Sequence, residues 1–224
     1  MTSECSGPVQ LTSPSQIYAW SALPVDHTPA AALFALDATL GDIVRSTREP
    51  LVGQMRLTWW HDSLTALDTV PAPAQPVLQA LARHVVPRVP GSALADMVEG
   101  WEVLLDAADP DDAALALFGE RRGAGLFAAV AQASGVAVDE AVRQAGTGWA
   151  LTDLAANVAA PALRMRARRL AEAALDRAMA RKWPARLRGV GGLAVDARCA
   201  LGGIGTAGSP RRSLAVLRFR ILGR

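Results

Sequence analysis

Cysteine, lysine, aromatics and long apolar runs are all scarce in this chain. Two cysteines, Cys5 and Cys199, stand in 224 residues. They exclude a disulfide framework and a cysteine-based metal site. No charge-free apolar run reaches about 18 residues, so no membrane-spanning helix is expected. The N-terminus lacks a basic segment followed by an apolar one, so no signal peptide is expected either. These absences point to a cytoplasmic protein, with peripheral membrane contact as the open extension. Lys182 is the only lysine, and the preference for arginine reads as coding bias. Aromatic residues make up 5% and β-branched residues are few, which disfavours sheet. No nucleic-acid-binding motif or aromatic interleaving accompanies the arginines, so no nucleic-acid partner is expected. Gly123 and Gly125 are too few for a phosphate loop and follow no strand. They suit close helix approach better. No serine sits in a hydrolase elbow.

What is present favours helix. The chain is 51% hydrophobic, and alanine and leucine dominate. Charge is unevenly spread. Residues 1–160 hold 8 Lys+Arg and 18 Asp+Glu, a net of 8 − 18 = −10; residues 161–224 hold 15 and 3, a net of 15 − 3 = +12. Either the two parts pack together and neutralise each other, or the basic part faces an anionic membrane or a diphosphate.

The pattern divides into a tail over 1–13, a helical bundle over 14–201, and a Gly-rich loop with a basic helix over 202–224. Ser13-Pro14 starts a short helix ending near Leu23-Pro24. A helix from Thr28 to Arg45 follows the steps Leu33, Leu36, Leu40 and Val44. The next runs from Thr47–Pro50 to Leu67. Its stripe Leu51, Met55 and Trp59 is expected to continue onto Leu64 and Leu67. After a Pro-rich break over 70–76, helices are expected at 76–86, 92–108, 112–134, 139–160 and 162–182. A helix near 192–201 and an amphipathic one in SPRRSLAVLRFRIL complete a bundle of roughly nine helices.

Three segments carry a resemblance. The first is DHTPAAALFALDATLGDIVRSTREPLVGQMRLTWWHDSL. It is similar to the squalene/phytoene synthase segment in which an Ala/Leu-rich helix bears the first aspartate-rich motif and the next helix bears an arginine and tryptophans. ERRGAGLFAAVAQASG resembles the family's Arg-Gly-Gly-Leu-Phe segment. GWALTDLAANVAAP sits where the second aspartate-rich motif belongs. The Glu-Pro, Arg-Leu and Trp-Trp run resembles a divergent branch that includes a mitochondrial complex I assembly factor and bacterial relatives. The resemblance covers roughly residues 20–162. It implies an all-α, isoprenoid-synthase-like bundle.

It also implies a chemistry to test. Ionising an allylic diphosphate needs Mg²⁺ at the leaving group, held by carboxylates, diphosphate and water. Carboxylates at i and i+4 on a helix can share such a metal. Asp37 and Asp42 are five residues apart and diverge by about 140°. Matching Leu151-Thr152-Asp153-Leu154 to the family's Leu-Thr-Asn-Ile puts Asn157 and Pro161 at the two aspartate positions and Ala156 at an arginine position. Asp153 remains as a lone carboxylate.

The candidate ligand-binding residues are Asp37, Arg45, Arg48, Arg56, Trp59, Trp60 and Asn157. Arginine suits phosphate, and the tryptophans suit a prenyl chain. Ion pairing by the arginines and core packing by the tryptophans are the structural counterparts. His61 and Asp62 are adjacent on a helix and do not face each other as a dyad. The expectation is a family member with degenerate motifs. It is non-catalytic and needs no cofactor. It binds a prenyl or other apolar ligand, or acts as a membrane-associated interaction or assembly factor with a protein partner. The alternative is an active prenyl-diphosphate transferase with Mg²⁺ on Asp37, Asp42 and Asp153. The basic C-terminal helix is the candidate membrane contact, with docking on the acidic bundle as its counterpart.

Overall fold

The computed structural model describes residues 28–106 and 109–224. The expected tail over 1–13, the helix expected over 14–24, Cys5 and the last residues of the expected 92–108 helix lie outside them. The described residues form nine helices and no strand. In chain order, α1 is Thr28–Ser46, α2 Pro50–Ala66, α3 Pro76–His84 and α4 Gly91–Asp106. The helix α5 starts as Asp112–Phe118, widens into a π-helical segment over Gly119–Ala124, and resumes as Gly125–Ala133. Then come α6 Glu140–Asn157, α7 Pro161–Met179, α8 Arg188–Leu201 and α9 Pro210–Leu222.

Local chemistry sets many of the starts. Proline occupies the first turn of α2, α3, α7 and α9, where its missing N–H costs nothing. The side chains of Gln75, Asp111 and Asp139 accept from the N–H groups of Leu78, Ala114 and Val142, capping α3, α5 and α6. The cap of α4 comes from farther away. Asp68 accepts from Gly91 N at 2.5 Å and from Ser92 N at 3.0 Å. The carboxyl of Asp68 is held below its ordinary range by the Ser92 and Gly91 backbone N–H groups. Gly223 ends α9 at φ 73°, a left-handed conformation suited to glycine. Its carbonyl accepts from Trp183 N at 2.7 Å, tying the chain end to the segment before α8.

α6 lies at the centre, between α7 and the π segment, and α2 packs on α4. The stripe expected along α2 divides. Gly53, Leu57, Trp60 and Leu64 face inward. Leu51 is 67% exposed, Met55 66% and Trp59 48%. Leu51 and Met55 precede Gly53 and Leu57 by two residues, about 200° around the helix, and Trp59 lies about 100° from Trp60. Leu51, Met55 and Trp59 therefore do not run on into buried Leu64 and Leu67.

The acidic and basic parts meet at α7 and just beyond it. Arg166 pairs with Asp109, Arg169 with Asp112, and Arg181 with Asp139. The helix α9 packs on α8, within the basic part itself. Arg212, Val216 and Phe219 form its buried face. There the Arg212 guanidinium clasps Asp196, with Nε 2.8 Å from Oδ1 and Nη2 2.5 Å from Oδ2.

Candidate functional site

Gly123 in the π segment and Gly146 on α6 bring their backbones into direct contact. A Cβ at Gly123 would lie 2.1 Å from the Gly146 carbonyl oxygen, and the reverse holds equally. No other residue fits at either position without moving a helix. The π turn takes up extra residues and changes which way the side chains beyond it point. Together these features turn Arg122 into the interior, where it is 4% exposed.

Arg122 is held on two sides. Its Nε donates to Asp37 Oδ1 at 2.8 Å and its Nη2 to Asp37 Oδ2 at 3.0 Å, a bidentate pair between α5 and α1. Its Nη1 lies 2.8 Å from Asp153 Oδ2 on α6. The guanidinium carbon stands 4.2 Å from the Trp101 ring centre, 5.0 Å from Trp149 and 5.4 Å from Phe118. Those distances fit cation–π attraction, which grows as water is excluded. Trp149 also packs against Phe34 and Phe127, and Trp101 against Phe118. Burial works against the charge on Arg122. The neighbouring Asp37 and then Asp153 outweigh it and push the proton affinity above the ordinary arginine value.

The candidate residues fall into two groups. Asp37 and Asp153 come together on Arg122, and exposed Asn157 reaches only Asp153. Asn157 Nδ2 donates to the Asp153 carbonyl at 2.8 Å and to its Oδ1 at 3.2 Å. The others stand apart. Asp42 points outward and pairs with Arg45 at 2.7 Å. Arg48 and Arg56 are exposed. Trp60 is buried, while Trp59 touches it edge-on from the exposed face. His61 Nδ1 and Asp62 Oδ1 lie 3.3 Å apart on the surface. Sequence pattern does not single out Arg122. It lies within ERRGAGLF, the segment that resembles the family's Arg-Gly-Gly-Leu-Phe, and that resemblance is the signal that could have marked one of its two arginines.

The donor set does not fit Mg²⁺. Both Asp37 oxygens and one Asp153 oxygen already hold the guanidinium. Among the described residues no three or more His, Cys, Asp or Glu side chains gather as a metal would require. The Arg122 guanidinium bridges Asp37 and Asp153, two of the three carboxylates named for the metal, and Asp42 stands outside the cluster.

The all-α bundle, with two aspartates from different helices converging on its interior, has the architecture of an isoprenoid-synthase-like fold. Residues 13–189 match the squalene/phytoene synthase family, and the chain belongs to it. Among curated proteins and among solved structures, none matches.

Proposed function

We propose that the chain is a non-catalytic member of the squalene/phytoene synthase family that works by binding at an anionic membrane surface, as an interaction or assembly factor. The observation that carries the first half is Arg122 seated between Asp37 and Asp153. A guanidinium fixed by three contacts already neutralises the two carboxylates that would have to collect two or three Mg²⁺ ions. Without them a diphosphate leaving group has nothing to neutralise it. The transferase alternative needs Asp37, Asp42 and Asp153 around one cavity, and Asp42 is turned outward beside Arg45.

The membrane half is supported by α9. Leu214, Leu217 and Ile221 recur at helical spacing on its exposed side. Residues 202–224 contain no acidic residue, and of their arginines Arg211, Arg218 and Arg224 are exposed while Arg212 is buried on Asp196. Exposed apolar side chains beside arginines suit the boundary of an anionic bilayer. No described helix is long and apolar enough to cross a membrane, so contact would be from the side.

The test is incubation with farnesyl or geranylgeranyl diphosphate and Mg²⁺, followed by an assay for released diphosphate. No release is expected. Turnover that disappears in a folded Asp37→Asn variant would overturn the reading.

A further inference from the structure

A cavity of about 710 Å³ opens between α7, α8, α9 and the loop joining the last two. Its size is that of a small-molecule site. Most of its lining lies after residue 189, beyond the part of the chain matched to the family, and none of it belongs to the Arg122 cluster. Val195, Leu201, Ile204 and Phe219 give it apolar walls. Ile204 reaches the lining from a loop in which Gly203 and Gly205 both turn through φ 67°. It is 46% exposed.

The charges around this cavity do not balance. Asp176 on its wall is paired with Arg198 at 2.9 Å, and Glu172 lies 3.7 Å from Arg168. Each acidic group therefore has an arginine of its own. Arg218 lines the same cavity, is exposed, and has no ion-pair partner among the described residues. It stands on α9 itself, one residue before the apolar wall residue Phe219. An apolar chamber with uncompensated guanidinium charge selects a molecule with an apolar tail and an anionic head. Arginine is suited to either a carboxylate or a phosphate head.

We propose that this cavity binds an amphipathic anion, with its tail against Val195, Leu201 and Phe219 and its carboxylate or phosphate on Arg218. The site does not depend on whether the bundle is catalytic or meets a membrane.

Cys199 lines the cavity and is buried, so it reports on occupancy. Burial, then the nearby Asp196, pushes its thiol up, with Arg212 and Arg198 opposing. Alkylation is therefore best followed on the alkaline side. The experiment uses the full chain with Cys5→Ser, without vesicles and below the micelle threshold. Dodecanoate and dodecyl phosphate are expected to slow Cys199 alkylation in proportion to occupancy, and dodecanol and inorganic phosphate to do so weakly or not at all. Arg218→Ala is expected to weaken the effective anion by about tenfold, the loss of one charge-assisted contact, and Arg218→Lys to restore part of it. Whichever of the two anions protects more names the head group. Equal protection by dodecanol with no effect of Arg218→Ala would overturn the anion, protection by inorganic phosphate alone would overturn the tail, and protection by none would overturn the site.

Discussion

Two buried arginine–aspartate pairs hold this protein together, and they do different work. Arg122 and Asp37 are 85 residues apart in sequence, and Asp153 adds a third partner. Arg212 and Asp196 are 16 apart and join neighbouring helices. The geometry is nearly the same, with a guanidinium fork on a carboxylate and Nε to Oδ1 at 2.8 Å in both. The surroundings differ. Arg122 sits among three aromatic rings at the meeting of α1, α4, α5 and α6. Arg212 clips the last helix to the one before it. Closing a long loop costs entropy that a local contact avoids. Desolvating a charge costs several kcal/mol wherever it happens. The long-range pair joins α1, α5 and α6, helices far apart in sequence. The local pair sets whether α9 stays in place and closes the cavity beside it.

The sharpest way to break the comparison is Arg122→Ala. It leaves Asp37 buried without its cation, and a loss of about 3–5 kcal/mol in urea unfolding is expected. A loss below about 1 kcal/mol, the size of an exposed pair, would mean that the cluster does not organise the bundle.

Arg212→Ala comes next, toward the lower end of that range at about 3 kcal/mol. Its effect should be local. Hydrogen exchange is expected to speed up in α8 and α9 while α5 and α6 keep their protection. Uniform loss of protection would merge the two pairs into one cooperative unit.

The smallest effect concerns Asp68, an exposed carboxylate held by neutral N–H groups rather than by an arginine. Its folded pKa is depressed. Its contribution is therefore present above the ordinary carboxylate value of about 3.9. That contribution is lost as pH falls through the lower folded value. In Asp68→Asn that acid-dependent loss should be missing from the variant's curve, so the stability difference between the two proteins narrows as pH falls through the folded value. Identical pH dependence would show that the cap of α4 does not draw on the carboxylate's charge.

Much of the fold is legible in the chain because its signals are local. Pro50, Pro76 and Pro161, with the caps Asp111 and Asp139, mark starts that the helices obey. The five-residue step from Asp37 to Asp42 points one inward and one outward, as the helical angle requires. The site is less legible because its parts are distant and its register is irregular. Nothing near Arg122 in sequence names Asp37 as its partner. A regular helix drawn through 112–134 also misplaces every side chain after Gly119 relative to the π-helical path. The outward stripe of α2 was hidden for a simpler reason. Two apolar stripes share one helix, and periodicity alone does not say which meets the core. The cavity at α9 is assembled from three helices and a glycine-rich loop, none of which carries a motif.

The widened turn at Gly119–Ala124 makes the interior charge a matter of counting rather than of composition. Removing one residue there would rotate the downstream half of α5 by about 100° against the upstream half. The same arginine would then leave its aspartates without any change in their identity. Register in that turn, as much as the identity of Asp37 or Asp153, therefore sets whether this interior is ion-bridged.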